Sequence, residues 1–541
     1  MSGPPPPPAD IPAFAVLPVA EIPATVAKIR AGYCSRKTRD LSFRITQLRK
    51  LYWAVEDYTP LLIAALHKDL RMSAFEVHLG ELDMTKNLIL NMLKNIETYT
   101  ADEKIEGLPP VALPMHVRVR KEPLGVALII SPYNFPVQLS LGPAIGAIAA
   151  GCAFVLKPSE ATPAASAVLA HMLAARLDTS VYTVVNGAVD ETTALLEQKW
   201  DKIFYTGGGA VARIIAKKAA ETLTPVSLEL GGINPAFITP SANVQLAARR
   251  LMWGKSFNCG QVCLSQNYAL VDRAKLPQFI EELHRQYAIM FPNGAKASAD
   301  YSRIINKRHF DRISGYIKQT KGKVVMGGET DETTLYIEPT VVLVEDEDDV
   351  LLTNETFGPV WAVMAVDSVD EAIEIANRVC ATPLGLYPFG NKTDTEKILS
   401  RVTSGGATVN DGYMHGSIDA IPFGGVGESG MGASHGRAGF DAFTHRRSVV
   451  VNPPWTDKLL RVRYMPYDWA ALRQLKFISM RPNFDRNARE VRGLAYWLGV
   501  VVRLGGKSVW SAAGRWIVAG VAVAVATGRT GLEWASGVLR R

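Results

Sequence analysis

What most constrains the fold is a run of short apolar segments alternating with helix-like ones between residues 124 and 222. Residues 124–131 are apolar and of strand length. Residues 137–150 are longer and rich in small apolar side chains, as a packed helix would be. Residues 153–156 read again as strand and 163–176 as helix. Residues 181–185, 190–198, 202–205 and 211–222 continue as strand, helix, strand and helix. A strand without polar alternation has no face to offer water, so these strands belong inside a sheet covered on both faces. Strands joined through helices run parallel. The expected fold class is therefore α/β with a doubly wound parallel sheet, and such sheets bind nucleotides beyond the carboxyl ends of their strands. Upstream, residues 20–105 carry helical patterning with few Gly or Pro. Residues 116–122 alternate polar and apolar like an exposed strand or hairpin arm, and residues 448–451 read as a further short strand. There is no internal repeat.

The net charge of +7 is uneven. Residues 453–541 carry 15 Lys+Arg against 5 Asp+Glu, leaving 44 against 47 for the other 452 residues. The surplus is thus confined to the C-terminal part, which argues against a nucleic-acid groove on the body and for an anionic surface near that end. The same part holds two apolar blocks, 493–502 and 516–527. A bilayer span needs about 20 predominantly apolar residues. Residues 508–528 reach that length but include Arg515, close enough to one end to reach the headgroups, and Trp510, Trp516 and Trp534 suit an interface belt. Membrane attachment is expected; an amphipathic or subunit-covering helix is the alternative. At the other end, prolines 4–8 suggest a solvated polyproline arm, with no secretory signal pattern. Five unevenly spaced cysteines do not read as a disulfide framework, so a reducing compartment is expected.

Three stretches carry candidate chemistry. Phe257-Asn258-Cys259-Gly260-Gln261-Val262-Cys263 follows a helical stretch and precedes a strand. A thiolate suits covalent attack on a carbonyl, whereas most cysteines are simply small buried hydrophobes. A zinc site is not supported, because no second Cys/His pair at ligand spacing lies nearby. Val226-Ser227-Leu228-Glu229-Leu230-Gly231-Gly232 places one acid in an otherwise apolar strand. Burial would raise its pKa toward that of a general base, unless it serves in a salt bridge. Ser131-Pro132-Tyr133-Asn134-Phe135-Pro136 places an amide at a strand end, where it can donate to an oxyanion or cap the next helix.

Together with Leu156-Lys157-Pro158-Ser159-Glu160, Asn354-Glu355-Thr356-Phe357-Gly358-Pro359 and Pro422-Phe423-Gly424-Gly425-Val426-Gly427, these stretches resemble the aldehyde dehydrogenase superfamily over roughly residues 25–452. The chain is most similar to its class 3 and fatty aldehyde dehydrogenase branch. The resemblance implies Cys263 as nucleophile, Glu229 as the base that activates water, and Asn134 as oxyanion donor. It implies Lys157 and Glu160 at the adenosine ribose, Glu355 and Phe357 at the nicotinamide ribose, and Phe423 in the substrate pocket. Gly207, Gly208, Gly209, Ala210, Val211 and Ala212 match the family's glycine turn, which aims a helix N-terminus at phosphate. Ala212 replaces the second glycine, a change expected to disturb the pyrophosphate fit slightly. Tyr133 replaces the usual Trp beside the pocket, and Ile233 the usual Lys. Cys259 is expected to pack rather than to form a reversible disulfide with Cys263.

The expected organisation is then a Pro-rich arm at 1–20, an NAD(P)-binding domain at 21–228 and a catalytic domain at 229–432. A small β oligomerisation arm would be built from 112–123 and 433–452, with a membrane-attachment tail at 453–541. The implied reaction is oxidation of long apolar aldehydes, fatty or apocarotenoid, with NAD or NADP and NAD the first choice. The implied assembly is a homodimer on a membrane, its catalytic part facing the cytosol. A CoA-acylating relative or a membrane-bound non-catalytic one are the alternatives. Glu229 argues against the first, and the intact set of Cys263, Glu229 and Asn134 against the second.

Overall fold

The computed structural model describes residues 10–108, 112–458, 460–478, 482, 484–490, 493, 502 and 513–519. Two sheets organise it, both within one compact unit that comprises residues up to 103 and 119–448.

The first sheet has the strand order Gly430–Met431, Val226–Glu229, Lys202–Thr206, Val126–Ile130, Ala153–Lys157, Tyr182–Val184. The four strands of the apolar alternation and Val226–Glu229 run parallel, and Gly430–Met431 joins one edge antiparallel. Val126–Ile130, Ala153–Lys157 and Lys202–Thr206 are buried along their whole length, which is why they read as unbroken apolar runs. The chain steps outward from Val126–Ile130 to Tyr182–Val184, then crosses back to Lys202–Thr206. This reversal opens a crevice at the carboxyl ends Ile130 and Thr206. The helices Gln138–Ala150, Pro163–Arg176 and Gly209–Glu221 fall where the alternation placed them.

The second sheet has the order Lys323–Met326, Thr340–Leu343, Val360–Val366, Tyr268–Asp272, Pro235–Ile238, Gly385–Phe389, Gly406–Ala407. Its neighbours are parallel except at the Lys323–Met326 edge.

Between residues 433 and 452, Thr444–Val451 is strand, but Gly436–Asp441 is a helix seated on Gln138–Ala150. A Cβ on Gly146 would lie 2.5 Å from the Gly439 carbonyl oxygen, so the two helices touch through backbone. His116–Pro123 is more covered than its alternation implies. Its charges are paired, Lys121 with Glu103 at 2.6 Å and Glu122 with Arg447 at 3.0 Å. The prolines 4–8 and most of 493–541, including most of the 508–528 segment, lie outside the described residues. Among the described residues, no helix is long and apolar enough to cross a membrane.

Candidate active site

The loop carrying Cys263 begins where helix Val244–Ser256 ends. That helix starts on the Asn243 side chain, which accepts from the Leu246 N–H at 3.0 Å. After it, Asn258 (φ 47°) and Cys259 (φ 53°) are both left-handed, at a cost of about 1–2 kcal/mol each for residues with a Cβ. Hydrogen bonds hold the turn. The Asn258 N–H donates to Glu76 Oε1 at 3.2 Å, and Asn258 Nδ2 donates to the Asn134 carbonyl at 2.7 Å. Gly260 follows (φ 68°); a Cβ there would sit 2.3 Å from the Gly358 carbonyl oxygen.

The turn sends its two cysteines different ways. Cys259 is fully buried, donates to Tyr301 Oη at 3.3 Å, and packs in the apolar cluster of the second sheet. Cys263 keeps partial exposure to a cavity of about 590 Å³. Asn234, fully buried just before strand Pro235–Ile238, fixes the Cys263 backbone. Its Nδ2 donates to the carbonyls of Cys263 (2.8 Å) and Ser265 (3.0 Å), while its Oδ1 accepts from the Gly385 N–H at 2.8 Å.

The same cavity gathers residues from eight stretches of sequence. Tyr133 and Asn134 follow strand Val126–Ile130. Lys157 and Glu160 lie at the end of the neighbouring strand, joined at 2.8 Å. Gly207, Gly208 and Val211 form the turn into helix Gly209–Glu221, and Glu229 ends its own strand. Glu355 and Phe357 line it as well. Gly209, Ala210 and Ala212 do not line the cavity. Ala212 is 1% exposed within the core, so its methyl group does not project into the space expected for phosphate. Phe423 lines a separate, smaller cavity of about 80 Å³, walled largely by apolar groups such as Phe135, Leu139 and Val262. Cys263 reaches that cavity too.

Several lining or supporting groups had no sequence signal of their own. Arg308, His309 and Arg312 enter the larger cavity from helix Lys307–Gln319. Ser434 donates to Glu229 Oε1 at 2.9 Å. Lys255 is buried behind Thr356, donating to its hydroxyl at 3.2 Å and to the Gln266 carbonyl at 2.8 Å.

Burial dominates the electrostatics. It pushes the Cys263 thiol up to about 12, with the nearby carboxylates of Glu229 and Glu355 adding to the effect. The resting sulfur is therefore a thiol, and its attack must be coupled to proton removal. Burial raises Glu229 to about 8, against the opposing hydrogen bond from Ser434, and Glu229 Oε2 is buried without a hydrogen-bond partner among the described residues. It raises Glu355 to about 7, although that carboxylate accepts from the Gly232 N–H at 3.2 Å. Lys255 is pulled down to about 7 by the same desolvation, which the charge of Glu355 opposes. Burial also acts to raise Glu160, but its bond to Lys157 brings it below the ordinary range. Among the described residues no cluster of His, Cys, Asp and Glu is arranged to hold a metal ion.

A thiol facing a cavity, an enclosed carboxylate and an amide thus meet at the carboxyl edge of a parallel sheet, and residues 13–449 match the aldehyde dehydrogenase family. The chain belongs to that family. It is accordingly an NAD(P)-dependent oxidoreductase acting on aldehydes. The enzyme is 54% identical over 511 residues to a beta-apo-4'-carotenal oxygenase of Neurospora crassa, covering 94% of this chain and 96% of the relative. It is 39% identical over 449 residues to a dimeric NADP-preferring aldehyde dehydrogenase of Canis lupus familiaris, covering 83% and 98%. The substrate-bound AldH of Staphylococcus aureus superposes with a TM-score of 0.78 at 33% identity, covering 82% of this chain and 98% of its own.

Proposed function

We propose that the enzyme oxidises long apolar aldehydes, of apocarotenoid or fatty type, to carboxylic acids through a thioester on Cys263. The observation that carries this reading is that Cys263 lines both the large cavity, which holds the charged groups Lys157, Glu160, Glu229 and Glu355, and the small apolar one. The apolar lining of the small cavity, at about 80 Å³, suits the few carbons next to the aldehyde group, and it is the name of the Neurospora relative that supports an apocarotenal.

The large cavity fits a dinucleotide. Gly208 has open space around it, since a Cβ there would meet nothing within 4 Å, and it opens the N-terminus of a 13-residue helix suited to phosphate. Lys157 and Glu160 would hold the adenosine ribose, and Glu355 and Phe357 the nicotinamide ribose. The carboxylate of Glu160 accepts ribose hydroxyls and repels a 2′-phosphate, which favours NAD over NADP. When bound, the dinucleotide supplies the hydride acceptor.

The protein's own residues do the rest. The Cys263 sulfur bonds to the aldehyde carbon as its proton leaves to a neighbouring base. Asn134 Nδ2 donates one hydrogen to the Gln261 carbonyl at 3.0 Å and has a second for the developing oxyanion. After hydride departure the thioester on Cys263 is hydrolysed. Glu229 takes a proton from water, the resulting hydroxide bonds to the acyl carbon, and the sulfur leaves as thiolate.

The reading extends to the whole chain. Residues 21–228 serve the cofactor and 229–432 the chemistry. Within segments 112–123 and 433–452, the strands His116–Pro123 and Thr444–Val451 pair two subunits, and 453–541 attaches the catalytic part to a membrane from its cytosolic side. High salt should then fail to extract the full chain from membranes, because screening weakens charge but not apolar burial. Extraction by salt alone would overturn the attachment. The substrate reading is tested by kcat/KM for a panel of short, long-chain and apocarotenoid aldehydes with each cofactor. Long apolar aldehydes with NAD should lead; a preference for short hydrophilic aldehydes would overturn it.

A further inference from the structure

We infer that Ser434 is the positioning residue of the general base: its hydroxyl holds one oxygen of Glu229 and leaves the other free to receive the proton of water. The inference rests on Glu229 acting as the base.

Glu229 is almost completely enclosed, and its register neighbours Thr206 and Gly430 bear no charge. The imidazole of His435, next in sequence to Ser434, is held uncharged by burial, which lowers it to about 4. Among the ionisable groups lining the same cavity, Cys263, Glu160 and Glu355 are of the wrong sign to stabilise a carboxylate, and the cations Lys157, Arg308 and Arg312 and the imidazole of His309 are not among the influences on Glu229, which are burial and the Ser434 hydrogen bond. A buried carboxylate needs hydrogen bonds, and among the described residues the one it receives comes from Ser434 Oγ at 2.9 Å.

That hydroxyl has one proton and two acceptors, Glu229 Oε1 and the Phe423 carbonyl at 3.3 Å. With Glu229 ionised, the proton belongs on the Glu229 side, because a charge-assisted bond is the stronger. With Glu229 protonated, the hydroxyl can turn to Phe423 and accept instead. The bond therefore favours the charged form that abstracts a proton from water. Ser434 does not depend on Glu229 for its place. Its N–H donates to the Phe423 carbonyl at 2.6 Å, its own carbonyl accepts from the Phe423 N–H at 3.1 Å, and the His435 ring stacks on Phe423 at 5.2 Å. The general base is thereby tied to the wall of the substrate cavity, a link that neither residue shows alone.

The test uses the full-length enzyme and its Ser434→Ala, Ser434→Thr and Glu229→Gln variants. Each is loaded with aldehyde and NAD, and decay of the acyl-enzyme is followed by mass spectrometry across a pH series. Ser434→Ala should keep the burst of reduced cofactor. The pH midpoint of its acyl-enzyme hydrolysis should rise by about one unit, giving roughly tenfold slower hydrolysis below the midpoint. Ser434→Thr should restore the parent profile. An unchanged midpoint in Ser434→Ala, with Glu229→Gln stalled, would overturn the inference alone, as would loss of the burst. Normal hydrolysis in Glu229→Gln would instead overturn the reading of Glu229 as base.

Discussion

The two sheets meet the active-site cavity from opposite ends of their strands. The first presents carboxyl ends: Asn134 follows Val126–Ile130, Lys157 ends Ala153–Lys157, and Glu229 ends Val226–Glu229. The second presents the segments that precede its strands: Cys263 comes before Tyr268–Asp272, and Glu355 and Phe357 before Val360–Val366. Carboxyl ends of parallel strands are the ordinary place for a nucleotide. The reverse edge of the second sheet has no such general use, and the nucleophile has to be held there by specific bonds, those of Asn234 and Asn258. In the proposed roles, the first wall carries the base Glu229, the oxyanion donor Asn134 and the adenosine-side pair Lys157 and Glu160, while the second carries the nucleophile Cys263 and the nicotinamide-side pair Glu355 and Phe357. Variants of the two walls should therefore fail differently.

The largest effect is expected on the second wall. Cys263→Ala should abolish aldehyde oxidation while cofactor binding, read by fluorescence titration, stays within about twofold, since no sulfur contact is needed to hold the dinucleotide. Substantial residual turnover would break the division. On the first wall, Glu229→Gln should stall steady-state turnover but keep a stoichiometric burst of reduced cofactor. The same variant carries a stability signature. An acid whose folded pKa is raised to about 8 costs folding free energy once it ionises. That cost is absent below the unfolded value of about 4.3 and complete above about 8. Glu229→Gln should therefore melt higher than the parent at pH 8 and no differently near pH 4. An equal melting difference at both would show that Glu229 is not buried as a charge.

Asn134→Ala should slow the burst itself by roughly 10²–10³, the usual loss for one oxyanion donor. A burst at the parent rate would move Asn134 from catalysis to turn-holding, since its carbonyl also accepts from Asn258. The smallest effect on turnover is expected from Cys259→Ala. Its thiol faces Tyr301 in the core, so about 1 kcal/mol of stability should be lost with turnover nearly unchanged. Loss of activity there would erase the distinction between the two cysteines.

The same contrast explains what the sequence made legible. The first sheet reads directly because its strands are buried on both faces and joined by regular helices. The second does not, because the small hairpin Thr330–Asp331 with Tyr336–Ile337 and the acidic segment 345–349 break its alternation. Glu229 stands out as an acid in an apolar strand. Asn234, a polar residue opening the next apolar strand, carries a similar signal and marks the anchor of the Cys263 loop. Ser434, Lys255 and the trio Arg308, His309 and Arg312 reach the site only through tertiary folding, from stretches whose local pattern is that of ordinary helix or loop. The effect of Ala212 was legible only in part. The sequence shows a missing glycine, but which way the methyl points depends on the helix it joins.

The most direct measurement is to trap the acyl-enzyme. Glu229→Gln is mixed with a long-chain aldehyde and NAD, quenched, digested and mapped by mass spectrometry. The expected result is one acyl group per chain, on Cys263, with one equivalent of reduced cofactor formed. Acylation of Cys259 or any other residue, or continued turnover with no adduct on Cys263, would contradict the account.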